Sequence, residues 1–220
     1  MSEFPLITLG IVDDDALVRS ALASLLGDQP DFEVVFECSD GQQAVAACAQ
    51  YAPDVVLMDI RMPVMDGRQA TAELRKTAPA AKVVIITIGE LGEDISGCIA
   101  AGAVGFLLKT DPPEVIADAI RGVHKGSSVV SPGPLANWAK ASTAPATHQA
   151  DSQLLESLSA REQDVLRLLC NAYTNAEIAE ALEVTEATIK AHVSSIMAKM
   201  KETSRLKVVV RAMQAGRNGR

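Results

Sequence analysis

The chain has 220 residues, of which 48% are hydrophobic and 22% charged, and its formal net charge is −8. That reads as a globular protein with room for one large or two ordinary domains and a sizeable core. No run of about 18 apolar residues occurs, which excludes an ordinary membrane-spanning helix. The opening Met1-Ser2-Glu3-Phe4-Pro5 has no basic stretch ahead of an apolar one, so no secretory signal is expected and the cytoplasm is the expected location. Cys38, Cys48, Cys98 and Cys170 are scattered, with no CxxC pair, and read as reduced core thiols. The charge is uneven. Residues 1–153 hold 20 acids and 10 bases (−10), whereas residues 154–220 hold 8 acids and 10 bases (+2). An acidic front and a basic tail suggest two domains, the second with an anionic partner.

In chain order, Leu6–Val12 is an apolar strand ending in Asp13-Asp14-Asp15, and residues 16–26 repeat apolar positions at three and four, the spacing of a helix. Phe32–Glu37 is a strand and Gly41–Tyr51 an alanine-rich helix. Val55-Val56-Leu57-Met58 is continuously apolar, as expected of a strand buried on both faces of a parallel sheet, and it stops at Asp59. Pro63 and Asp66-Gly67 force a loop before a helix over 69–77. The strand 82–87, a weak helix over 94–101, the strand 105–109 and a helix over 112–125 complete five strand–helix units. Such alternation implies a five-stranded parallel sheet, (βα)5 and flavodoxin-like, with helices on both faces. Right-handed crossovers bring the carboxyl ends of all strands to one edge. Asp13, Asp14, Asp59, Thr87 and Lys109 all stand at such ends, where open α/β sheets place their chemistry.

The first domain is expected over 1–126, a flexible linker over 127–153 and a second domain over 154–220. The linker has a Ser-Pro-Gly-Pro stretch at 131–134, and a short helix is possible over 135–141 around Trp138. The second domain is all-α, with four helices. Ser159–Glu162 and Thr174–Glu177 are capping boxes, Glu183-Val184 is a tight turn, and Thr185 caps the helix 186–200. Thr203 or Ser204 starts the last helix. A short helix, a tight turn and a longer helix with the basic excess form a helix-turn-helix.

Three clustered carboxylates beside a lysine suit a hard divalent cation such as Mg2+, which takes oxygen ligands and keeps several waters. Asp59, already ionised at neutral pH, can then act as nucleophile on phosphorus, with the metal and Lys109 offsetting charge on the transferred oxygens and Thr87 donating its hydroxyl to one of them. Plainer readings stand beside these. Asp15 can simply cap the helix that follows, Lys109 can be a solvated strand-end lysine, and Phe106 can be core.

These motifs together resemble the NarL/FixJ family of two-component response regulators. Asp13-Asp14, Leu57–Pro63 with Asp66-Gly67, Thr87 and Gly105–Lys109 are similar to its receiver domain. Leu158-Ser159 with Arg161-Glu162, Asn175–Ala179 and Thr188–Val193 are similar to its LuxR-type helix-turn-helix. The resemblance implies that Asp59 accepts a phosphoryl group from a sensor histidine kinase. Asp13 and Asp14 would then hold Mg2+ with Asp59 and the Arg61 carbonyl, Thr87 and Phe106 would be the switch pair, and Lys109 the phosphate partner. Asp15, Ile88-Gly89 and Thr110 depart from the usual residues at their positions.

The basic helix is expected in the major groove of double-stranded DNA. Lys190 is the candidate for a guanine edge, with Ala191 and Ser194 on the same exposed face. Thr188, Lys199, Lys201, Arg205 and Lys207 are candidates for phosphates, and His192 for a backbone contact or packing within the domain. Val208, Val209 and Ala212 resemble the family's dimer contact, and a phosphorylated homodimer on a near-palindromic site is expected. Turnover of an external substrate is not expected, because Arg61 stands where aspartyl-phosphate hydrolases favour a second acid. A phosphorylation-independent or ligand-responsive LuxR-type regulator is the alternative.

Overall fold

A computed structural model describes residues 6–88, 94–131, 154–155, 157–171, 173–202 and 204–216. The chain divides into two compact units, residues 1–135 and 136–220. The expected short helix around Trp138 lies outside the described residues.

In the first unit, β1 (Ile7–Val12), α1 (Ala16–Gly27), β2 (Phe32–Cys38), α2 (Gly41–Tyr51), β3 (Val55–Met58), α3 (Gly67–Thr77), β4 (Lys82–Thr87), α4 (Asp94–Ala101), β5 (Gly105–Leu108) and α5 (Pro113–His124) alternate as the pattern predicts. All pairings are parallel, in the order β2-β1-β3-β4-β5, with β6 (Val129–Val130) beyond β5. Alternate residues of the central strands serve opposite faces. Leu9, Ile11, Val55, Leu57, Val84, Ile86 and Leu107 form one core with Leu22 and Leu26 of α1 and Ile116, Ile120 and Val123 of α5. On the other face, Gly10 leaves room for the Phe36 ring, which a Cβ there would meet at 2.2 Å.

The sheet has six strands, not the five expected. β6 (Val129–Val130) lies beside β5 in parallel, with Gly105 opposite Val129 and Phe106 opposite Val130. It falls in residues read from sequence as linker, because two residues show no periodicity and the Ser/Pro/Gly composition around them favours a loop. The chain is turned back onto the sheet by a Schellman cap at the end of α5. The Ser127 amide donates to the Gly122 carbonyl and the Gly126 amide to that of Val123, with Gly126 at φ +91°, where only glycine is unstrained.

In the second unit, α6 (Ala160–Cys170), α7 (Asn175–Ala181), α8 (Glu186–Lys199) and α9 (Arg205–Gly216) follow the expected bounds. Both capping boxes form, and Thr185 caps α8 through its side chain. Ser204 accepts from the Lys207 amide at 3.3 Å, whereas Thr203 lies outside the described residues. The core gathers Leu158, Val165, Leu169, Ile178, Ile189, Val193, Ile196 and Val208. No described helix is long and apolar enough to cross a membrane. No disulfide joins the four cysteines. Burial pushes the Cys38, Cys48 and Cys170 thiols up, to about 11, 12 and 11, so they are poor nucleophiles.

Candidate functional site

The acid pocket forms at the carboxyl edge because β1, β3, β4 and β5, consecutive in the sheet, end together there. β1 runs out at Val12 opposite Met58, so Asp13 and Asp59 emerge side by side, and the Asp59 amide donates to the Val12 carbonyl at 2.8 Å. Asp13 is fully buried and Asp59 is 8% exposed. Lys109 leaves the end of β5 and places its ammonium 2.5 Å from Asp13 Oδ2 and 3.0 Å from Asp59 Oδ2. Its amide donates to the Thr87 carbonyl at 2.7 Å, which fixes the β5 end against the β4 end. Asp13, Asp14 and Asp59 each offer a carboxylate oxygen, and these lie within 4.8 Å of one another.

The electrostatics follow from burial. Desolvation pushes the Asp59 carboxyl above its ordinary value, Lys109 works against that shift, and Asp13 adds to it by like charge. Burial pulls the Lys109 ammonium down, but hydrogen bonds from it to Asp13 and Asp59 outweigh this and leave it raised. Asp13 Oδ2 is sealed from solvent, and its close partner is the Lys109 ammonium at 2.5 Å. Three carboxylates whose oxygens converge at one strand edge suit a hard cation bound through oxygen. The acidic cluster can therefore hold a metal ion.

Surrounding residues position the acids. Arg19 Nη1 donates to the Asp13 carbonyl at 2.6 Å, and Asp13 Oδ1 accepts from the Asp15 amide at 3.0 Å. Asp15 takes its plain role. Its side chain caps α1, accepting from the Leu17 and Val18 amides at 2.9 and 3.3 Å. Gly67 opens α3 directly against the end of β3, where a Cβ would sit 2.0 Å from the Asp59 carbonyl oxygen. Thr87 is 6% exposed at the end of β4, and Phe106 is fully buried in β5. Arg61 is exposed in the β3–α3 loop.

In the second unit, Lys190, Ala191 and Ser194 share the exposed face of α8. Lys190 pairs with Glu186 at 3.1 Å, and Ser194 Oγ donates to the Lys190 carbonyl at 2.9 Å. Lys201 is exposed, Thr188 is half-buried with its hydroxyl 2.8 Å from that of Thr185, and His192 and Lys207 are half-buried.

Two expectations are corrected here. Arg205 is 7% exposed and turned inward, donating to Asn175 Oδ1 at 2.7 Å and to the Tyr173 carbonyl, so it is not available to a DNA phosphate. Val208, Val209 and Ala212 are 1%, 8% and 8% exposed and belong to their own domain's core, so they do not form an outward dimer face. Lys199 is exposed and pairs its ammonium with Glu162 at 2.6 Å. Arg205 and the three apolar residues, read as outward-facing, are buried against other helices of their own domain. The alternation of a single helix cannot show such partners.

Sequence reasoning also missed two ties. Glu162 joins α6 to α8, accepting from Ser195 Oγ at 2.7 Å and from Lys199. Asp111 closes the turn that carries Lys109, accepting from the Leu108 amide at 2.8 Å and from Ser131 Oγ. An aspartate ahead of Pro112-Pro113 is a turn signal that pointed to the second.

Comparison with known proteins agrees with this geometry. The response regulator receiver domain matches residues 9–121, and the LuxR family of bacterial regulatory proteins matches residues 156–212. The response regulator protein VraR of Staphylococcus aureus (strain Mu3) is 36% identical over 203 residues, 92% of this chain and 94% of its own. Among solved structures, the response regulator ChrA of a heme-sensing two-component system is 31% identical. It covers 95% of this chain and 97% of its own, with a TM-score of 0.55. A LuxR-family response regulator from Aurantimonas sp. SI85-9A1 is 28% identical over 61% of this chain and 96% of its own, with a TM-score of 0.58. The family is one of transcription factors rather than turnover enzymes. A receiver fold with its acid pocket, followed in the same chain by a helix-turn-helix, places this protein in the LuxR/NarL family of two-component response regulators, as a transcription regulator.

Proposed function

We propose that Asp59 is the phosphoacceptor, and that its phosphorylation by a sensor histidine kinase drives DNA binding by a dimer. The observation that carries this reading is the meeting of the Asp13 and Asp59 carboxylates within 3.0 Å of the Lys109 ammonium at the carboxyl edge of the sheet. Asp13, Asp14 and Asp59, with the Arg61 carbonyl, would hold Mg2+. When bound, the ion supplies positive charge to the phosphoryl oxygens. Asp59 contributes an anionic oxygen that forms the new P–O bond as the donor's P–N bond breaks, and the leaving imidazole takes a proton from solvent. Lys109 turns its ammonium to the transferred group, and Thr87 donates its hydroxyl. Thr87 and the buried Phe106 then shift together, which biases the receiver toward a second arrangement.

Lys190 is the candidate reader of guanine, with Ala191 and Ser194 beside it. Thr188, Lys201 and Lys207 remain candidates for the phosphate backbone and His192 for a backbone contact. A near-palindromic site and a homodimer follow from the small footprint of one reading head. The dimer surface lies elsewhere than at Val208, Val209 and Ala212. The expected place of work is the cytoplasm.

The test is intact-mass analysis of the full chain treated with phosphoramidate. The wild type gains one phosphoryl group in Mg2+ and none in a chelator, and Asp59→Ala gains none. A phosphoryl group that appears equally on Asp59→Ala contradicts the assignment.

A further inference from the structure

The turn after β5 does two jobs at once. It launches Lys109 toward the acid pocket, and it is bound to the first residues that lead out of the receiver. Asp111 holds it closed from within, its amide donating to the Leu108 carbonyl at 3.0 Å and its Oδ2 accepting from the Leu108 amide at 2.8 Å. The same Oδ2 accepts from Ser131 Oγ. Ser131 also donates its amide to the Phe106 carbonyl at 2.8 Å and is 4% exposed. Gly105 admits this strand closely, since a Cβ there would meet the Val129 carbonyl oxygen at 3.1 Å. One carboxylate oxygen thus ties together the turn of Lys109, the strand of Phe106 and the residue that follows β6.

We infer that Asp111 and Ser131 form a clasp that transmits the state of Asp59 to the interdomain segment. This rests on the phosphoacceptor reading above. Lys109 divides its ammonium between Asp13 and Asp59 in the resting pocket. A phosphoryl group on Asp59 competes for that ammonium, and in the proposal the Lys109 turn settles differently in the two states. A shift of that turn carries Asp111, which closes it, and with Asp111 its bond to Ser131. Asp111 is therefore a positioning residue acting through Lys109, and β6 is the element whose seating reports the pocket. A two-residue strand held by few ladder bonds is the part of the sheet whose opening costs least.

The experiment uses the full chain with and without phosphoramidate and Mg2+, with intact mass recording the phosphoryl group. Amide hydrogen exchange is followed in a peptide covering residues 127–131. Exchange there is expected to change severalfold on phosphorylation, while that of β1 and β3 stays fixed. Ser131→Ala is expected to take the phosphoryl group to the wild-type extent. Its phosphorylation-dependent gain in affinity, for a DNA fragment selected from a random pool, is expected to be smaller by about fivefold or more. Asp111→Asn, which keeps the side-chain shape, is expected to reduce the gain in the same direction and covers the case in which one variant folds poorly. Unchanged exchange at 127–131 in phosphorylated wild-type protein overturns the proposal, as does a full gain in Ser131→Ala. If the wild type gains no phosphoryl group at Asp59, the phosphoacceptor reading has failed and the clasp falls with it. The mass record separates that outcome from failure of the clasp alone.

Discussion

Lys109 is the residue on which the resting pocket depends. Two buried carboxylates stand within 3.0 Å of its ammonium, so removing it leaves uncompensated negative charge out of water. Lys109→Ala should lower receiver stability by about 3 kcal/mol in urea unfolding, the usual result of breaking a buried ion pair from one side. Millimolar Mg2+ should restore part of that loss if the acids bind it; no difference between Mg2+ and chelator would count against the cation site. Gly67 is the steric counterpart. A methyl group 2.0 Å from the Asp59 carbonyl oxygen forces α3 away from the end of β3. Gly67→Ala should cost about 2–3 kcal/mol by the same measurement. These side chains were legible from sequence as types at strand ends, because a parallel sheet assigns strand ends to one edge whatever the intervening residues are. Arg205 was not legible. Its partners Asn175 and Tyr173 lie 30 and 32 residues away in sequence, and a lone arginine at a helix start reads as solvated.

At the scale of elements, the second domain hangs on a polar tie between α6 and α8. Glu162, 4% exposed, has its carboxyl held down to about 2, first by the Lys199 ammonium, with burial opposing and Ser195 and Ser159 assisting. A depressed folded pKa means the tie stabilises fully above the unfolded value near 4.5 and fades as pH falls toward about 2. With Lys199 partly exposed, the contribution is screened to about 2 kcal/mol. Calorimetry should show the helical domain losing more stability between about pH 6 and pH 3 in the wild type than in Glu162→Gln; equal losses would contradict the tie. Arg205 and Lys201 separate packing from DNA contact. Arg205→Ala should reduce stability by about 2 kcal/mol, because it leaves buried acceptors unpaired, without changing the salt slope of DNA binding. Lys201→Ala should leave stability alone and reduce that slope by about 1. The helices and their caps were readable because Ser159, Thr174 and Thr185 satisfy amide donors locally. β6 was not readable, since its stability comes from the edge of β5 and not from Val129-Val130 themselves.

Over the whole molecule, an acidic unit that carries the carboxylate cluster is joined to a helical unit whose last third is basic. On the proposed reading neither unit alone accounts for regulation, since the first would take the phosphoryl group and the second would contact DNA. The account therefore stands on coupling between Asp59 and DNA affinity in the intact chain. The direct measurement is a fluorescence anisotropy titration of a selected DNA fragment with full-length protein, with and without phosphoramidate and Mg2+, in wild type and Asp59→Ala. Wild-type affinity should rise by about tenfold or more with the phosphodonor and that of Asp59→Ala should not change. An equal rise in the two proteins would contradict the account.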